Sequence, residues 1–232
     1  MRRLLELLYP RSAVCMGCGA LTGCREDWIC PACRQALNER RVGAAPPPEG
    51  IDGAAYAYAY AGPAAGIINR MKYTGVHRLA EFMAADMVDA CRALDPAGAD
   101  LITSVPMHPA RQRRRGYNHA ELLARACAGA LGLPCEAAIV RVRDTPQQAR
   151  LEDEERLSNL RDAFEFLQPL QDRRVLLVDD VCTTGATARG CAEALKAAGA
   201  ERVYLLCYAQ ARTQKAPAEK NVVNVRSFRC GR

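Results

Sequence analysis

The chain reads as an α/β protein in which a parallel sheet flanked by helices follows a small N-terminal four-cysteine module. Three observations predict this. Residues 174–178 form a buried-type apolar run, helix formers follow over 188–198, and a second apolar run spans 202–208. Strand, helix and strand within about 35 residues make the βαβ unit of a parallel sheet. Two CxxC pairs crowd the first forty residues, where hydrophobic periodicity is weak. Between these regions, Pro46-Pro47-Pro48 favours an extended connector. The boundaries are therefore placed at 1–42 for the cysteine module, 43–53 for the connector and 54–232 for the α/β domain.

The elements follow in order. Tyr56, Tyr58 and Tyr60 alternate with alanines, the period of a strand, and Gly62-Pro63 breaks it. Helical spacing runs over 64–72 and 77–93. Leu101 to Val105 is a short strand stopped by Pro106. A helix over 117–131 ends at Gly132, and Ala137 to Val140 is strand-like. Residues 144–163, rich in charge and Gln, read as a loop or an exposed helix. Strand 174–178, helix 188–198 with Gly199 as its C-cap, and strand 202–208 complete the series.

Composition narrows the class. A chain of 232 residues holds one full core plus a small appendage. Half the residues are hydrophobic and a quarter charged, a globular balance that argues against a disordered chain. The net charge of +6 and pI near 8.8 suit an anionic partner such as phosphate, nucleotide or nucleic acid, and suit a plain basic protein equally well. Seven of the twelve cysteines are scattered singly, as small core residues are, so the reading expects a reducing, cytoplasmic setting rather than a disulfide framework. The first ten residues imitate a secretion signal only faintly, because Glu6 interrupts the apolar run and Pro10 ends it. No membrane span is expected.

Cys15, Cys18, Cys30 and Cys33 form two CxxC knuckles separated by eleven residues. Two such knuckles bring four thiolates around one tetrahedral ion, and Gly17 and Gly19 relieve the tight turn. The reading is a closed, structural zinc site; free thiols or two redox pairs are the alternative. Cys24 fits neither knuckle.

Residues 175–187, Val-Leu-Leu-Val-Asp-Asp-Val-Cys-Thr-Thr-Gly-Ala-Thr, carry the strongest signal. A buried strand ends in two carboxylates, a turn of small and hydroxyl residues follows, and a helix begins. A helix N-terminus offers free N–H groups and partial positive charge to a phosphate. Gly185 permits close backbone approach, and the hydroxyls of Thr183, Thr184 and Thr187 add donors. Asp179 and Asp180 can accept from vicinal ribose hydroxyls, or simply face solvent. The turn lacks the Gly-Lys-Ser/Thr of a Walker loop.

A basic loop, Val105-Pro106-Met107-His108 followed by Arg111, Arg113, Arg114, Arg115, Gly116, Tyr117 and Asn118, can neutralise a multiply charged leaving group. A solvated charge run or a polyanion patch explains the same arginines, Arg113 and Arg114 above all.

The thirteen-residue string resembles the phosphoribosyl pyrophosphate (PRPP) signature of type I phosphoribosyltransferases. Around it, the two knuckles, Met71-Lys72-Tyr73 with Gly75, Val105-Pro106-Met107-His108, Arg111, Arg115-Gly116-Tyr117-Asn118, Thr145 with Gln148, Leu151, Arg156, Asn159 and Phe164 together resemble the ComF family over nearly the whole chain. The resemblance implies a type I phosphoribosyltransferase-like sheet with an N-terminal zinc ribbon. It implies that Asp179 and Asp180 hold the ribose 2- and 3-hydroxyls as the catalytic pair, and that Thr183, Thr184, Gly185, Ala186 and Thr187 hold the 5-phosphate. Pro106, His108, Arg111 and Arg115 would flank pyrophosphate, with magnesium on the pyrophosphate and ribose oxygens. Segment 143–164 is compatible with a lid. His119 departs from the family's usual Gln, and Met107 from its Leu. The family's link to natural competence leaves three functions open: phosphoribosyl transfer to an unknown nitrogen acceptor, handling of single-stranded DNA, or PRPP sensing with a protein partner in competence or DNA processing.

Overall fold

The computed structural model describes residues 14–21, 28–73, 78–94, 98–143 and 163–211. The elements are α1 (Pro31–Asn38), β1 (Arg41–Ala45), β2 (Gly53–Ala59), α2 (Gly62–Tyr73), α3 (Leu79–Cys91), a 3-10 turn (Arg92–Leu94), β3 (Leu101–Ser104), α4 (Pro109–Arg115), α5 (His119–Leu131), β4 (Ile139–Arg141), β5 (Phe164–Phe166), β6 (Arg174–Cys182), α6 (Ala186–Ala197) and β7 (Arg202–Gln210). Five strands form one sheet in the order β1-β2-β7-β6-β3. Only β1 runs antiparallel to its neighbour; β2, β7, β6 and β3 are mutually parallel. β4 and β5 make a separate antiparallel pair.

The sequence forces β6 and β7 into the interior. Their residues are apolar on both faces, the pattern of a parallel strand covered on both sides. Leu176 and Val178 with Leu206 and Tyr208 point to one core, shared with α2, α3 and α5. Val175 and Leu177 with Val203, Leu205 and Cys207 point to the other, shared with α6. β3 therefore leads to a helix on one face and β6 to a helix on the opposite face. That divergence opens a crevice at the carboxyl ends of the two strands.

The predicted helices and strands are present, with differences that have physical causes. β6 continues past Val178 to Cys182 because β7 pairs with it as far as Cys182↔Gln210. Asp179 and Asp180 thus lie within the strand rather than beyond it. Arg41–Ala45, part of it read as connector, is β1. The helix read from 117 begins at His119, because Asn118 caps it by accepting from the Ala120 N–H at 3.1 Å. Gly132 and Gly199 take φ of 70° and 91°, as helix-ending glycines do. Cys24, segment 144–162 and the C-terminal arginines lie outside the described residues.

Cys15, Ile29, Cys30, Cys33 and Leu37 are buried in the same core as Ile67, Ile68 and Met83. Among the described residues no helix is long and apolar enough to cross a membrane.

Candidate functional site

The crevice is a cleft of about 310 Å³, the size range of small-molecule sites. β6 supplies Asp179 and Asp180. Asp179 Oδ1 accepts from the Asp180 backbone N–H at 2.8 Å. Asp180 is only 3 % exposed, and its Oδ2 lies 2.6 Å from Lys72 Nζ. His119 Nε2 stands 3.7 Å from the same oxygen. Apart from the ion pair, Asp180 Oδ2 has no well-aligned hydrogen bond.

These surroundings set the charges. Burial, and then the charge of Asp180, push the Asp179 carboxyl well above the usual carboxylate range. Burial would lower the Lys72 ammonium, but Asp180 and Asp179 outweigh it and hold the lysine above its ordinary value. Burial lowers His119 below its ordinary 6.5, assisted by Lys72 and Arg115 and opposed by Asp180, so its imidazole is neutral at pH 7.

The loop after β3 forms the opposite wall. Asn118 Nδ2 donates to the Val105 carbonyl at 3.1 Å and so ties the loop to the start of α5. Pro106, Arg111 and Arg115 line the cleft. Arg111 and Arg115 stand four apart on one face of α4, while Arg113 and Arg114 are exposed and do not line the cleft. His108 does not line the cleft; it caps α4, its Nδ1 accepting from the Ala110 N–H at 3.3 Å.

The turn into α6 places Thr183 and Thr187 on the cleft. Thr184, Gly185 and Ala186 complete the turn without lining the cleft. Thr184 Oγ1 accepts from the Ala186 N–H at 3.4 Å. Gly185 has φ of 81°, and a β-carbon there would lie 2.6 Å from Pro48 Cβ. The glycine thus serves a left-handed turn and close contact with the triple-proline segment.

Sequence reasoning gave no role to Asn69, Lys72, Tyr73 or Arg141, all of which line the cleft. The first three recur at i, i+3 and i+4 on α2, so one helix face supplies them. Tyr73 is 73 % exposed, with the Arg115 guanidinium 5.6 Å from its ring centre. The helical spacing was legible; the approach of that face to the β6 carboxylates was not.

At the other end of α2, the Sγ atoms of Cys15, Cys18, Cys30 and Cys33 lie within 4.8 Å of one another. Cys15 Sγ accepts N–H groups from Cys30 at 3.2 Å and from Gly17 at 3.4 Å. Burial would raise the Cys15 thiol, but backbone N–H groups bring it down to about 7. Four converging sulfurs with backbone donors on one of them fit a tetrahedral zinc ion, which would be closed to substrate and act structurally.

Comparison with known proteins agrees with this geometry. The Phosphoribosyl transferase domain family matches residues 114–229, half of the chain. The fold and the cleft define a type I phosphoribosyltransferase-like protein with a four-cysteine module. Within that class the chain belongs to the ComF family. It is 34 % identical to Competence protein F of Haemophilus influenzae over 160 residues, covering 66 % of this chain and 70 % of that protein. It is 33 % identical to DNA utilization protein YhgH of Salmonella typhi over 153 residues, covering 64 % and 67 %. Among solved structures, purine phosphoribosyltransferase from Pyrococcus horikoshii matches 57 % of this chain and 72 % of its own, with 20 % identity and a TM-score of 0.37.

Proposed function

We propose that the cleft binds magnesium-PRPP and transfers its phosphoribosyl group to a nitrogen nucleophile. The observation that carries this reading is the convergence of two carboxylates, a hydroxyl-rich helix N-terminus and two arginines on one cleft. Asp179 and Asp180 accept hydrogen bonds from the ribose hydroxyls. The turn 183–187 directs N–H groups and hydroxyls to the 5-phosphate. Arg111 and Arg115 meet the pyrophosphate. Magnesium would add charge neutralisation on pyrophosphate and ribose oxygens.

The C1–oxygen bond to pyrophosphate breaks, pyrophosphate leaves with the electron pair, and a C1–nitrogen bond forms as the nucleophile loses one proton. Charge builds on the leaving oxygens, and the two arginines face that charge. The setting proposed is the cytoplasm, where the free cysteines stay reduced.

The test is pyrophosphate release from PRPP across a panel of nucleobases and amines. Release by wild type and its loss in an Asp179→Asn/Asp180→Asn variant are expected. Equal release by both proteins would remove the acid pair from the reaction.

A second reading has its own observation. Arg113 and Arg114 are exposed on a surface outside the cleft lining, and the relatives are named for competence and DNA utilization. A single-stranded DNA surface on that face predicts salt-sensitive binding. Arg113→Ala with Arg114→Ala should weaken it and spare PRPP. Binding indifferent to both salt and those substitutions would end this reading. PRPP sensing with a competence or DNA-processing partner remains the third function; an effector-dependent pull-down separates it from the others.

A further inference from the structure

Helix α2 touches two places that the proposed chemistry does not connect. In its first half it carries the four-cysteine knuckle. A β-carbon on Gly66 would overlap the Gly17 carbonyl oxygen, so backbone lies against backbone there. A β-carbon on Gly17 would in turn come within 2.8 Å of Cys33 Sγ and 3.0 Å of Pro63 Cβ. One turn further, Arg70 Nη1 donates to the carbonyls of Met16 at 3.0 Å, Gly17 at 3.2 Å and Gly66 at 3.3 Å. At the far end, Lys72 Nζ reaches Asp180, and the Tyr117 hydroxyl donates to the Met71 carbonyl.

From Gly66 to Lys72 the helix rises about 9 Å, a span over which it behaves as a stiff rod. The seating of Gly17 on Gly66 therefore fixes how far Lys72 reaches, although no residue of the knuckle lines the cleft.

We propose that the four-cysteine knuckle governs the cleft through α2, with Lys72 as the positioning residue that holds Asp180 for its ligand. The linkage stands on the contacts above; only the identity of the ligand rests on the PRPP reading. Asp179 and Asp180 are adjacent acids at the cleft, and Lys72 is ion-paired to the buried Asp180. Loosening the knuckle withdraws that cation. The other titratable groups facing Lys72 are His119 from α5 and Tyr60 after β2.

Amine acylation by an N-hydroxysuccinimide ester, read by mass spectrometry, reports on Lys72 without any ligand. Lys196, whose side chain is 39 % exposed, is the internal reference. In the zinc-loaded wild type, Lys72 should react about tenfold more slowly than Lys196, because it is half-buried and tightly ion-paired to Asp180. Gly66→Ala and Arg70→Gln, each checked for bound zinc and a cooperative melt, should label Lys72 severalfold faster and bind magnesium-PRPP about tenfold more weakly. Lys72→Met should lose the same affinity with zinc content unchanged, and Lys72→Arg should recover part of it.

Folded, zinc-loaded Gly66→Ala and Arg70→Gln proteins that label Lys72 at the wild-type rate would overturn the linkage. Lys72→Met binding PRPP as wild type does would overturn the positioning role. If a variant loses zinc, graded chelation of the wild type reads the same link. Lys72 labelling must rise as metal is released while Lys196 stays level, and a flat Lys72 rate overturns the proposal. A wild type that binds no PRPP would remove the ligand reading, and the labelling comparison would still decide the linkage.

Discussion

At the scale of the residue, the cleft is a problem of charge in a buried place. Asp180 keeps close company with Lys72, whereas Asp179 is driven toward its protonated form by burial and by Asp180. His119 sits beside them as a neutral imidazole, with Nδ1 buried and unpartnered. Its value lies below the ordinary 6.5, so the unfolded chain takes up a proton at a higher pH than the folded one. The stability this contributes is complete above 6.5 and drains away as pH falls through the folded-state value. His119→Gln should therefore lose less melting temperature than wild type between about pH 7.5 and pH 5.5. Parallel melting profiles would exclude the effect. The acid pair was legible because two adjacent carboxylates ending an apolar run are chemically conspicuous. Lys72 was not, since nothing in Met71-Lys72-Tyr73 announces that its partner lies on β6.

At the scale of the element, the turn from β6 into α6 combines a conformational and a packing demand. Gly185 occupies the left-handed region, where an L residue costs about 1–2 kcal/mol. Its missing β-carbon also admits Pro48. Gly185→Ala should destabilise the protein by at least about 2 kcal/mol in denaturant melts and displace the turn. Thr183→Ala and Thr187→Ala should leave stability nearly unchanged and weaken phosphate binding. Thr184→Ala, which removes a hydroxyl that accepts from the Ala186 N–H within the turn, should do the reverse. Equal effects of all three on binding would contradict the placement of these hydroxyls. The turn was readable as hydroxyl and glycine chemistry, but the role of Pro48 was not, because the proline lies far upstream and reads locally as a spacer. The end of β6 was also hidden: acids are rare in buried strands, and pairing with β7 carries this one past them. α4 showed the converse, since the pairing of Arg111 with Arg115 on one face follows directly from helical spacing.

At the scale of the whole molecule, two cores enclose one sheet, and the cysteine module contributes to the first of them. Three of the four zinc-binding candidates, Cys15, Cys30 and Cys33, share that core with Ile67, Met71 and Met83. Chelation should therefore lower the melting temperature of the protein in a single transition. A low-temperature step that leaves the main transition in place would show instead that the module melts alone. The sheet was legible in 174–178 and 202–208 because strands covered on both faces are continuously apolar. The docking of the 15–18 knuckle on α2 was not, because it depends on Gly17 and Gly66 meeting across the chain. The measurement that tests the account most directly is calorimetric titration of the zinc-loaded protein with magnesium-PRPP, beside the folded Asp179→Asn/Asp180→Asn variant. The account predicts saturable binding at one site in wild type and none in the variant. Absence of binding in folded wild type, or equal binding by the variant, would contradict it.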